Sequence, residues 1–108
     1  MSPGDVVIVD FVGATGIKRR PALVVSADTY QAERPDVILA VITSNVRSAT
    51  ASTDHIIKDW SAAGLKKPSA FRAFLGTYDR RDVGIIVGRL SGTDWAAIKD
   101  KLRMVFDV

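Results

Sequence analysis

Pro3-Gly4-Asp5-Val6-Val7-Ile8-Val9-Asp10-Phe11 is a turn signal followed by a β-branched run, and Lys18-Arg19-Arg20-Pro21-Ala22-Leu23-Val24-Val25-Ser26 repeats the theme after a basic triplet. Branching at Cβ crowds a helix and suits a pleated surface, so both stretches predict buried strands, at 6–11 and 22–26. Val37 to Thr43, introduced by Pro35-Asp36 and ended by the polar stretch Ser44 to Thr53, predicts a third. His55-Ile56-Ile57 is a candidate short fourth. Ser69 to Leu75, between Pro68 and Gly76, and Ile85-Ile86-Val87, between Gly84 and Gly88, complete a set of five or six.

The C-terminus reads differently. Trp95, Ile98, Leu102 and Val105 or Phe106 recur at three-to-four-residue spacing among Asp94, Lys99, Asp100, Lys101 and Arg103, which is the period of an amphipathic helix. Ser91 with Asp94 three residues on has the form of a capping box, and Thr93 competes as the cap. Further helical turns are expected in Asp28 to Arg34, ended by Pro35, and around Trp60 to Ala63. Several short strands and one terminal helix predict an α+β fold, mainly β: a small barrel or strongly bent sheet with the helix packed on it.

Composition narrows the chemistry. The chain has 108 residues, 47% of them hydrophobic, enough for one domain over 1–108 that buries roughly two-thirds of its unfolded surface without disulfide or metal. With no cysteine there is no thiol nucleophile, disulfide framework or thiolate zinc site, which fits a reducing compartment. A single histidine, His55, removes paired-histidine catalysis and multi-histidine metal centres within one chain. Val37 to Ile42, the longest apolar run, falls far short of the ~20 residues of a membrane span, and no signal pattern opens the chain. A soluble, cytoplasmic protein is expected.

The net charge is +3, from nine arginines and six lysines against eleven aspartates and Glu33. Basic runs stand at Lys18-Arg19-Arg20, Lys66-Lys67 and Arg80-Arg81; such runs are most often solvated surface. If strands 22–26 and 37–43 are antiparallel neighbours, the start of the first lies beside the end of the second. Arg20 and Thr43 then meet. Pro21 pushes Arg20 toward extended backbone, and Ser44 and Asn45 follow Thr43, so one strand edge gathers a guanidinium, two hydroxyls and an amide. Arginine's planar fork suits phosphate bidentately.

These residues resemble a family. Gly4-Asp5-Val6-Val7-Ile8-Val9-Asp10-Phe11, Lys18-Arg19-Arg20-Pro21-Ala22-Leu23-Val24-Val25-Ser26 and Val41-Ile42-Thr43-Ser44-Asn45 look like the MazF/PemK toxins of bacterial toxin–antitoxin systems. Ala63-Gly64-Leu65, Lys67-Pro68-Ser69 and Val87-Gly88-Arg89-Leu90-Ser91 continue the pattern in order, over essentially the whole chain.

The resemblance implies a small SH3-like β-barrel of the CcdB/PemK kind, a homodimer, and a sequence-selective endoribonuclease cutting single-stranded RNA without metal or cofactor. In that family the 2′-hydroxyl attacks the adjacent phosphorus, leaving a 2′,3′-cyclic phosphate and a 5′-hydroxyl. The family's catalytic arginine before proline falls on Arg20 and its catalytic threonine on Thr43. Arg20 is assigned first to charge stabilisation and second to proton donation, because a guanidinium is a poor base at neutral pH. Family members often carry a glutamate before the Arg-Pro pair; residues 12–19 contain no carboxylate, and the general base stays unassigned. His55 is the one side chain whose ordinary pKa lies near neutrality; it approaches the site only if the loop 44–54 folds back, and it is expected to be a structural or surface histidine.

For substrate binding, residues 12–19, with Gly13, Gly16, Lys18 and Arg19, are expected to form a mobile basic loop along the phosphate backbone. Ser44 and Asn45 flank the catalytic threonine. Ser69 and Arg72 fall in the family's second substrate-facing segment, where Ala70-Phe71-Arg72-Ala73-Phe74 departs from the common pattern. Phe71 or Phe74 is a candidate to stack a splayed base, but core packing is the expectation for both, and Trp60 and Trp95 are expected to pack in the core or at an interface. The family also implies an antitoxin, with an acidic segment suited to the basic edge. Two other functions compete: a CcdB-like toxin that binds a protein such as gyrase, and a basic barrel that only binds nucleic acid.

Overall fold

A computed structural model describes residues 1–108, apart from the side chains of 11–13. Six strands, β1 (Asp5–Gly13), β2 (Gly16–Val24), β3 (Asp36–Thr43), β4 (His55–Ile56), β5 (Ala70–Asp79) and β6 (Val83–Arg89), form one sheet in the order β4-β5-β3-β2-β1-β6. Every pairing is antiparallel. Helix α1 (Asp28–Glu33) crosses between β2 and β3, and α2 (Gly92–Phe106) follows β6. The result is a curled antiparallel half-barrel carrying a C-terminal helix, as expected. Trp60 to Ala63 forms turns rather than a helix.

Alternation along the strands divides the apolar residues between the two faces of the sheet. Val6, Leu23, Ala40, Ile42 and Phe71 face the helix side, where Ile57, Ala63, Leu65, Leu90 and Ile98 close the main core. Val7, Val9, Ala22, Val24, Val37 and Leu39 cluster on the other face. A run buried on both faces loses the polar–apolar alternation of a half-exposed strand, which is why 6–9 and 37–42 read as continuous apolar stretches.

Irregularities bend the sheet. The β1–β6 ladder shifts twice, between Val6 and Val7 and between Val7 and Val9. In the β3–β5 ladder Ala40 pairs with Leu75 and Val41 with Arg72, so Ala73 and Phe74 have no residue opposite them. Extra residues of this kind kink a strand and increase its twist. Gly64, at φ +86°, lets the 61–65 turn approach β6 so closely that a Cβ there would collide with the Val87 carbonyl; one on Gly88 would strike the Ala63 carbonyl.

At the start of α2, Ser91 Oγ accepts from the Asp94 amide at 3.2 Å, settling the choice of cap. Asp94 is fully buried, and its carboxylate accepts from His55 Nε2 at 2.8 Å and from the amides of Lys58 (3.0 Å) and Asp59 (2.9 Å). Burial alone would raise its pKa; hydrogen bonds from His55 and the two amides overcome that and hold it below the ordinary carboxylate value. His55 is structural, as expected: it ties β4 to α2. Trp95 and Leu102 pack on the core, but Val105 and Phe106, one of which is expected on the same face, are both exposed. The helix outruns the sheet that would cover its last turn. No helix of the described residues is long and apolar enough to cross a membrane.

Candidate active site

Arg20 does not stand at a strand start. β2 begins at Gly16, so Arg20 lies inside it, opposite Val9 of β1. Residues 12–19, expected to be a loop, instead complete a hairpin whose pairing runs to Gly13 and Gly16. The structure extends the strand because Lys18, Arg19 and Arg20 need only one neighbouring strand, β1, and can remain solvated on both faces. Gly16, at φ +116°, supplies the turn conformation that other residues rarely adopt.

Pro21 controls what happens on the other side of β2. Proline has no N–H to give a ladder, and the β2–β3 pairing stops one residue later, at Ala22 opposite Val41. Leu23 faces Ala40 and Val24 faces Leu39 in the same register. Continuing that register two residues past the last pair sets Arg20 opposite Thr43. Both residues have the parity of Ala22 and Val41, so they share a face of the sheet where β2 and β3 part. The antiparallel pairing of β2 with β3 expected from sequence is present, and it ends two residues short of Arg20 and Thr43.

That face holds an open trough of about 330 Å³, with Arg20 and Pro21 at one side, Val41 in the floor and Phe74 and Gly76 from β5 opposite. Arg20 is exposed. The Thr43 hydroxyl, half-buried, accepts from the Asn45 amide at 3.1 Å, a contact that pins the backbone as it leaves β3. Ser44 and Asn45 are exposed, and the Asn45 carbonyl accepts from Ser48 Oγ at 2.8 Å.

The other candidates divide. Lys18 shares the face of Arg20, two residues along β2. Arg19 takes the opposite face, where its Nε lies 3.2 Å from Asp10 Oδ1. Ser69 is buried, and its hydroxyl donates to the Lys67 carbonyl at 2.8 Å; it shapes the turn into β5. Arg72 shares the face of Val41 through their pairing. Its Nε stands 4.0 Å from Asp54 Oδ1, too far for a hydrogen bond, and is buried with no other hydrogen-bond partner among the described residues. The guanidinium carbon lies 5.8 Å from the centre of the Phe74 ring.

Asp54 escaped the sequence reading, and Phe74 takes the less expected of its two places. Asp54 faces Arg72 with only 6% of its side chain exposed, and its Oδ2 accepts from the Ala51 amide at 3.0 Å. It sits in a polar stretch with no periodicity to place it. Phe74, expected in the core, is 66% exposed, whereas Phe71 is fully buried. Alternation puts the two phenylalanines one residue out of phase, but choosing the outward one requires knowing which face β5 gives to the helix. His55 lies in register with Phe71 on the helix-covered face, away from Arg20 and Thr43. Among the described residues no three His, Cys, Asp or Glu side chains gather as metal ligands would.

Similarity to known proteins accords with this geometry. A family profile described as PemK-like, MazF-like toxin of type II toxin-antitoxin system matches residues 2–106. No curated protein matches significantly. Among solved structures, a chain of a MazE–MazF crystal structure from Deinococcus radiodurans superposes with a TM-score of 0.79 at 18% identity, covering 100% of this chain and 97% of that one. A mycobacterial endoribonuclease solved in complex with its cognate antitoxin gives 0.78 at 17% identity, with 100% and 94% covered. The Mycobacterium tuberculosis toxin MazF-mt6 gives 0.76 at 23%, with 96% and 97% covered. At these identities the structures establish the shared fold, while the profile spans nearly every residue. The chain belongs to the PemK-like, MazF-like toxins of type II toxin–antitoxin systems.

Proposed function

We propose that the protein is a metal-independent endoribonuclease that cuts single-stranded RNA at selected sequences in the bacterial cytoplasm, with Arg20 and Thr43 as catalytic residues. The observation that carries this reading is the antiparallel β2–β3 ladder, which ends at Ala22 opposite Val41 and by strand alternation gives Arg20 and Thr43, each two residues on, to the same face of the sheet. The family membership and the solved relatives described as endoribonucleases support it.

The chemistry follows from what these groups can do. The RNA 2′-oxygen forms a bond to the adjacent phosphorus as the bond from phosphorus to the 5′-oxygen breaks. The 2′-hydroxyl loses its proton and the leaving oxygen gains one, giving a 2′,3′-cyclic phosphate and a 5′-hydroxyl. Negative charge grows on the non-bridging oxygens, and a guanidinium aimed at them stabilises that state more than the starting diester. Arg20 has this role, and its exposure leaves its donors available to RNA. Thr43 is held by Asn45 so that its hydroxyl proton can point to the phosphate. Lys18 and Arg72 extend positive charge along the strand, and Ser44 and Asn45 offer polar groups beside Thr43. Gly16, Arg19 and Ser69 serve the site by shaping the hairpin and the β5 turn.

The partners follow from exposed surface. Ile85 and Ile86 are exposed on edge strand β6, and Met104, Val105 and Phe106 on the end of α2. An apolar edge strand left uncovered invites pairing, so a second copy is proposed to cover this surface. An acidic antitoxin segment is proposed to lie over the basic face, as the net charge of +3 favours.

Purified protein incubated with a long single-stranded RNA in EDTA is expected to give discrete fragments. Arg20→Ala and Thr43→Ala should each slow their appearance by about 10²–10³-fold, the effect typical of losing one transition-state donor. Unchanged fragments and rates from both variants would refute the site. RNA retention without cutting would make the protein a binding barrel. Growth arrest with cellular RNA intact would point to a protein target.

A further inference from the structure

Phe74 is the feature of the trough that neither the core nor the catalytic pair accounts for. We propose that its ring is a stacking shelf for one nucleobase beside the scissile phosphate, making Phe74 a specificity-determining residue. This rests on the endoribonuclease reading and names what its site grips.

Three independent observations support it. The first is exposure: 66% of a phenylalanine lies in solvent on the face that carries Arg20 and Thr43, while Phe71, three residues earlier, is fully buried. The second is backbone. Phe74 belongs to the pair of β5 residues that have no opposite number on β3, and such extra residues re-aim side chains near functional sites. Two extra residues preserve alternation, so Ala73 and Leu75 still pack on the main core while Phe74 is carried over the trough. The third is its neighbours on that face of β5. Arg72 places its guanidinium against the ring, and Gly76 has no side chain to cover it. A Cβ on Gly76 would press within 2.9 Å of the Tyr78 ring, which lies over the glycine and lines the same trough as Phe74.

An aromatic face flanked by cations is the usual platform for a single-stranded base, because every base has a π-face and the phosphates on either side need positive charge. Arg20 lies across the trough, Lys18 shares its face two residues along β2, and Arg72 lies beside the ring. A second copy of the chain would also cover an exposed phenylalanine, but the clustering of cations around this ring favours an anionic strand.

The test uses RNA oligomers in which 2-aminopurine, whose fluorescence is quenched on stacking, is moved one position at a time. 2′-Deoxyribose at the cut site keeps them intact. One position should quench on binding to the wild-type protein. Phe74→Ala should abolish that quenching and raise KM by about 10- to 100-fold with little change in kcat, since a stack made equally in ground and transition states contributes to binding alone. Phe74→Tyr should retain both. Phe74→Leu, which keeps apolar bulk, guards against a folding defect and should behave like the alanine variant.

Unchanged quenching and KM in the alanine and leucine variants would overturn the shelf. So would quenching that persists while the oligomeric state changes, because the ring would then serve a protein contact. Quenching that depends on Phe74 in a protein that does not cut unmodified RNA would support the shelf and refute the nuclease.

Discussion

Arg20 owes its position to the residue after it. Pro21 ends the β2–β3 ladder, and the first exposed side chain past that point is a guanidinium. This part of the site was legible, because an Arg-Pro pair before one apolar run and a threonine after another are local signals. The sorting of the basic triplet was not. Arg19 turns to Asp10 while Lys18 and Arg20 share the trough face, and that follows only once the strand is known to begin at Gly16. Asp94 was legible as a helix-start residue but not as the acceptor of three long-range hydrogen bonds, since those partners lie 35 to 39 residues away. Its folded pKa is held down, so its contribution to stability is present above the ordinary carboxylate pKa of ~4 and is lost as pH falls through the depressed value. Asp94→Asn should therefore cost about 1–3 kcal/mol at pH 7 and flatten the acid limb, as measured by denaturant unfolding at pH 7 and pH 3. An acid limb as steep as that of the wild type would show that Asp94 does not carry it.

At the level of elements, two backbone devices set the shape. The approach of the 61–65 turn to β6 depends on glycine at both contacts, and Gly88→Ala should lower stability by about 2–4 kcal/mol, read as a fall in the urea midpoint. A loss below 0.5 kcal/mol would mean the turn can move away freely. The other device, the two-residue excess in β5, had no sequence signature, because an insertion of two leaves the apolar alternation intact. For the same reason the strand itself was legible while the outward turn of Phe74 was not. Helix α2 shows the complementary limit: its periodicity continues to Phe106, but periodicity cannot say where the covering sheet stops.

In the whole molecule, the proposed catalytic site and the proposed dimer contact lie on different surfaces. The trough lies where β2, β3 and β5 meet, in the middle of the sheet, while the exposed Ile85 and Ile86 lie on edge strand β6 and Met104, Val105 and Phe106 on the end of α2. Ile86→Asp should shift the protein from dimer to monomer in analytical ultracentrifugation, with its thermal transition retained. A variant that sediments like the wild type would place the dimer contact elsewhere. The overall architecture was legible because each strand carried its own turn residues, and the ordered motifs supplied the family. The central claim, that Arg20 and Thr43 assist attack by the RNA's own 2′-hydroxyl, is tested most directly on a substrate with one ribose changed to 2′-deoxyribose at the mapped cut. Cleavage should vanish at that bond alone, and the unmodified RNA should yield 2′,3′-cyclic phosphate and 5′-hydroxyl ends. Cutting at the deoxy position, or 5′-phosphate products, would contradict it.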